Sequence, residues 1–145
     1  MSRHELSYLP EWNPGTVAIL STGAGPAHAI PVSTGIRAHD RRIVIALALR
    51  RESLARLRKD PRCALTILAE SDVAITAHAR ARILQDPMEI SDKVAALVLE
   101  VESIQDHGQP RFEIGAGVRW RWTDPEAEAR DAEIRQALSA LAADL

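Results

Sequence analysis

From Val73 to Ile83 the chain alternates apolar and polar residues. Val73, Ile75, Ala77, Ala79, Ala81 and Ile83 fall on one side of an extended backbone; Thr76, His78, Arg80 and Arg82 fall on the other, because successive strand side chains point to opposite faces. Such a strand needs cover on its apolar face and partners along its edges. It commits the chain to a sheet with one packed side, and the remaining segments must supply the other strands.

They do so in short pieces. Val17–Thr22 is apolar and rich in β-branched residues, and Gly23–Pro26 reads as a turn. His28–Thr34 then returns as the second strand of a hairpin, with Pro31 confined to an edge or bulge because it lacks an N–H. Asp40–Arg42 reads as a turn, and Ile43–Leu49 as a strand buried on both faces. Cys63–Leu68 and Leu97–Ile104 are further strands, and Val118–Trp122 alternates as a strand with one wet face. Short helices are expected over Ser2–Leu9, over a segment beginning at an N-cap Ser53 and ended by Pro61, and within Pro87–Ala96 with Ser91 as cap. A longer one follows Asp124, with Pro125 at its first position and Ile134, Leu138, Leu141 and Leu145 as its apolar stripe. The pattern predicts a mainly β (α+β) single domain over residues 1–145. Its architecture is a β-barrel of six to seven antiparallel strands with a short inserted helix and a C-terminal helix.

Composition narrows the function. With 145 residues, 46% of them apolar, the chain can build a core without staples. The one cysteine, Cys63, excludes an internal disulfide framework. A net charge of -2 and 3% aromatics argue against nucleic-acid binding. The longest apolar run, Ile43–Leu49, is too short to span a membrane, and no targeting signal is read at the N-terminus, so a cytoplasmic protein is expected. The five histidines have no metal-like spacing, and no metal site is expected.

Three segments carry a family resemblance. Thr16–Thr22, a glycine turn and His28-Ala-Ile-Pro-Val32 form the first; Leu57-Arg-Lys-Asp-Pro-Arg62 is the second; Ala79-Arg-Ala-Arg-Ile83 is the third. Together they resemble the pyridoxamine 5′-phosphate oxidase-like split barrels, which bind FMN or the deazaflavin coenzyme F420. Leu-x-x-Asp-Pro-Arg is the most specific piece. The chain departs from the family pattern at Ser53, where a phosphate-binding Lys is common, at Arg56 in place of Asn, and at Ala79 in place of Gly.

The resemblance implies a split β-barrel homodimer with a cofactor site at the subunit interface. FMN is the first expectation and F420 the alternative, with hydride transfer to a small-molecule acceptor as the reaction. A non-catalytic protein that holds or stores the cofactor is the second reading. The resemblance puts His28, Pro31, Val32, Ser33 and Thr34 along the ring, and Arg50, Arg51, Ser53 and Leu54 near the phosphate. Two guanidinium groups, a hydroxyl and a helix start suit an anion, although the arginines read equally well as solvated residues at a strand end. No residue is assigned as the catalytic acid.

Overall fold

A computed structural model describes residues 4–23 and 25–145. Ser2 and Arg3 of the expected N-terminal helix, and Ala24 of the Gly23–Pro26 turn, lie outside the described residues. The described elements are, in chain order, β1 (Glu5–Leu6), β2 (Ala18–Thr22), β3 (His28–Val32), β4 (Ile36–His39), β5 (Arg42–Ala48), α1 (Glu52–Lys59), β6 (Arg62–Ala69), β7 (Val73–Gln85), β8 (Val94–Asp106) and α2 (Pro125–Ala143).

All the strand pairs are antiparallel, and the sheet runs β3-β2-β6-β7-β8-β5-β4, with β1 paired to the end of β8. β3 and β4 are the two edges of this path, yet only Ser33, Thr34 and Gly35 separate them in the chain. Three residues span at most about 10 Å. The sheet must therefore curl until its edges nearly meet, which gives a barrel that is split rather than closed. Side chains stitch the split. Thr34 Oγ1 donates to Ala46 O at 3.0 Å and accepts from Ala46 N at 3.1 Å. Trp12 Nε1 donates to Gly35 O at 3.0 Å.

The curled sheet has two apolar sides. Leu20, Ile43, Ile45, Leu65, Ile67, Ile75, Leu97, Leu99 and Ile104 fill its interior, and Leu54 and Leu57 of α1 pack into the same core. Each such side chain contributes about 1.5–3 kcal/mol when fully buried. On the outside, Val44, Ala46, Ala96 and Val98 are covered by Leu138 and Ala142 of α2, together with Met88. Strand β5 is therefore buried on both faces, as its unbroken apolar run requires. The alternation in β7 holds through Ala81, beyond which Ile83 is exposed.

Four expectations are corrected. Glu5–Leu6 is a strand, because its backbone completes the free side of β8 opposite Ile104 and Gln105. The segment after Pro87 is not helical. Strands β7 and β8 stay paired as far as Gln85 and Ala96, leaving a short connection closed by the Met88 N–H on Val94 O. Ser53 is not the helix cap; Arg51 is, without a side-chain bond, and Ser53 lies inside the first turn. The segment Val118–Trp122 joins no ladder. It crosses the tip of the β6–β7 hairpin, beyond the β2 ladder, which ends at Thr66, and the β8 ladder, which begins at Ile75. It is held by Ile114 N–H on Asp72 Oδ1 at 2.8 Å and by Arg119 on Glu70 at 3.3 Å. By contrast, the α2 start is as read: Asp124 Oδ1 accepts from Glu126 N at 2.9 Å, with Pro125 following.

Candidate functional site at the junction of β3 and α1

The hairpin register pairs Thr22 with His28, at the mouth of the β2–β3 turn. From there His28 reaches the first turn of α1. Its Nε2 lies 3.0 Å from Ser53 Oγ and its Nδ1 lies 3.6 Å from Glu52 Oε2. Glu52 also accepts from Arg56 Nε at 2.6 Å, and Arg56 donates to Pro26 O at 2.8 Å. The hairpin tip and the helix are thus tied by a run of charged and polar groups. The Arg56 hydrogen bond, with the Arg56 charge and then that of His28, holds the Glu52 carboxyl below its usual range.

The far end of α1 is held similarly. Asp60 takes bonds from the Arg62 side chain and backbone, which bring its pKa down to about 2. The Asp-Pro-Arg segment thus closes the helix by a carboxylate–guanidinium bridge before β6 begins. Within β6, burial pushes the Cys63 thiol up to about 12, so it is an inert core residue.

The sequence-assigned residues divide into two groups. Pro31, Arg50 and Arg51 are exposed, and His28 is partly so. Val32, Ser33, Thr34, Ser53 and Leu54 are buried within the single chain. Pro31 sits on the edge strand, opposite Ile19. Ser33 donates to Asp131 Oδ1 of α2 at 2.9 Å, and Thr34 bonds Ala46; both hydroxyls are engaged inside the fold. Ser53 is 0% exposed, with its hydroxyl on His28. A lysine there, as the family pattern has it, would put an ammonium group where this chain has a packed side chain.

The two arginines go separate ways. Arg51 gives only backbone groups to the helix start, and its side chain makes no ion pair or hydrogen bond among the described residues. Arg50 instead lines a cleft under α2, together with Lys93, Arg130 and Trp122, which sequence reading did not assign to any anion. That cleft is assembled from three distant segments, so no local spacing announces it.

The helix start fits a phosphate in two respects. Its first N–H groups have no side-chain cap, and an uncommitted guanidinium stands on the capping residue. Among the described residues there is no group of three His, Cys, Asp or Glu placed to hold a metal ion, and no helix is long and apolar enough to cross a membrane.

No protein-family profile matches the chain, and no curated protein sequence does. Solved structures do. A candidate pyridoxamine 5′-phosphate oxidase from Lactobacillus delbrueckii superposes with a TM-score of 0.52 at 16% identity, over 61% of this chain and 83% of that one. An F420 reductase gives 0.53 at 9%, over 63% and 90%. A FAD-binding protein from Mesorhizobium loti gives 0.50 at 11%, over 61% and 81%. Likeness at these identities is likeness of fold. With the curled antiparallel sheet and the inserted helix, it shows that the chain has the pyridoxamine 5′-phosphate oxidase-like split-barrel fold.

Proposed function

We propose that this protein binds a flavin or deazaflavin cofactor, FMN in the first instance and F420 as the alternative, and uses it to transfer hydride to or from a small molecule. The observation that carries the reading is the 3.0 Å contact between His28 and Ser53. It joins the edge strand β3 to the start of α1, which supports a single cofactor surface spanning the two segments expected from sequence. The names of the structural neighbours, which include an F420 reductase and a FAD-binding protein, point the same way.

In this reading Arg51 and the open N–H groups of α1 hold the phosphate. The ring lies along the β3 edge, where Pro31 leaves the backbone without a donor. His28 positions the hairpin against the helix; Val32, Ser33, Thr34 and Leu54 support the surface from behind. The bound ring supplies the hydride chemistry, and the chain orients it and excludes water. A homodimer would complete the site. It is favoured by the uncovered outer face of β2 and β6, where Ile19 is 40% and Leu68 45% exposed.

The visible spectrum of the purified protein, followed by fluorescence titration with FMN and with F420, tests the reading. Saturable binding of one of them is expected, and binding of neither overturns it. The second reading, a protein that holds the cofactor without turnover, is favoured by Ser53, buried where the family pattern has a phosphate-binding Lys. Steady-state cofactor oxidation with a panel of acceptors separates the two. Sedimentation at micromolar concentration checks the dimer.

A further inference from the structure

The cleft beneath α2 has a volume of about 820 Å³, within the range of sites for small organic ligands. One wall is the N-terminal half of α2, with Arg130 and Ile134. The other is the end of β5 with Leu49 and Arg50, and the loop entering β8 with Lys93. Trp122 stands at its rim, its ring fixed edge-on to Trp120 with centroids 5.7 Å apart.

The charge in this cleft is unbalanced. Arg50, Lys93 and Arg130 make no ion pair or side-chain hydrogen bond among the described residues. Two carboxylates line the same space. Asp131 is already committed, to Ser33 at 2.9 Å and to Arg135 at 2.9 Å. Asp92 alone faces three cations. Arg42, Arg58, Arg62 and Arg119 each have a carboxylate partner, whereas the cleft brings three cations without one into a single space. Three unpaired cations around an apolar floor and an indole are suited to a ligand that is both anionic and flat.

We propose that the α2 cleft binds a small aromatic anion, with the ring against Trp122 and Ile134 and the phosphate or carboxylate among Arg50, Lys93 and Arg130. The site lies within one chain. Lys93, Trp122 and Arg130 take no part in the cofactor surface at α1, so the proposal does not rest on that reading.

The test is calorimetric titration of the full chain with 1-naphthyl phosphate, 1-naphthoate and inorganic phosphate. Lys93→Ala and Arg130→Ala change exposed side chains and leave the core intact; Arg111→Ala, on a loop outside the cleft, is the control for general charge. A naphthyl anion is expected to bind wild type and the control alike, and each cleft variant roughly tenfold more weakly. Preference for the phosphate or for the carboxylate identifies the anion, and either supports the site. Inorganic phosphate binding as tightly as naphthyl phosphate overturns the aromatic part. Equal binding by wild type and both variants, or none by wild type, overturns the proposal. Titrating the same variants with FMN separates the two readings. If Lys93→Ala weakens FMN and naphthyl phosphate equally, the two sites are one and the second site is overturned. If FMN fails to bind while naphthyl phosphate still does, the cofactor reading falls and the cleft stands.

Discussion

The Nε2 of His28 lies 3.0 Å from the Oγ of Ser53, and this contact helps join the edge of the sheet to α1, the helix whose Leu54 and Leu57 pack into its interior. The serine is fully buried. Its hydroxyl therefore serves the junction rather than a surface ligand. Ser53→Ala should cost about 0.5–1.5 kcal/mol, the net worth of an ordinary hydrogen bond. Ser53→Lys should cost more, because it both overpacks the turn and places an ammonium group in a dry pocket. Urea denaturation of the two variants checks the order; a lysine variant as stable as wild type would show that the side chain finds a way out to solvent.

Arg51 carries the phosphate in the proposed function. A hydrogen bond to a charged group contributes about 1.5–3 kcal/mol, so Arg51→Ala should weaken FMN or F420 binding by that amount. The loss should shrink as salt is raised, since an exposed guanidinium acts through a screened field. Fluorescence quenching at two ionic strengths measures both effects. Arg50→Ala should leave cofactor binding closer to wild type, because Arg50 lines the α2 cleft.

Acid should weaken the ties at both ends of α1. The carboxyls of Asp60 and Glu52 both titrate below their usual values, and Asp60 does so at about 2. A carboxyl whose pKa is lowered by folding stabilises the fold above its unfolded value and loses that contribution as pH falls through the folded one. For Asp60 the window runs from about 4 down to about 2. Stability measured by denaturant should fall across this range, and Asp60→Asn should be less stable at neutral pH and flatter below pH 4.

How far the sequence revealed this arrangement depends on the range of the interactions. The alternation in β7, the doubly buried β5 and the Asp124 cap were legible because their causes are local: period, continuous apolarity and a side chain two residues from its donor. The hairpin of β2 and β3 was legible from its turn. The Glu5–Leu6 strand and the unpaired Val118–Trp122 segment were not. Whether an extended segment pairs depends on which sheet edge is free, and that is a property of the finished topology. The site shows the same division. Arg51 at a helix start is a local pattern, whereas Lys93 and Arg130 meet Arg50 only after α2 has docked, and Ser33 proved to be a tie to Asp131.

Gly117 is the position where a single methyl group should disturb the segment leading to the α2 cleft. A Cβ there would lie 2.0 Å from Leu68 O and 3.0 Å from Ala69 Cα. Both are backbone atoms of β6, held there by the ladder to Ala74 and Val73 of β7, so neither swings away as a flexible side chain would. Gly117→Ala must push the crossing segment off the hairpin and strain its ties through Asp72 and Glu70. The cost should be about 1–3 kcal/mol, the usual range for forced overpacking. Gly115, two residues earlier, has open space around its Cβ position, and Gly115→Ala should be close to neutral. Because Trp122 follows on the same segment and lines the cleft, Gly117→Ala should also shift tryptophan emission and weaken naphthyl phosphate binding, while Gly115→Ala changes neither. Matched denaturation curves, emission spectra and titrations of the two variants provide the check. Equal stability in both would mean that the segment does not rest on β6 as described.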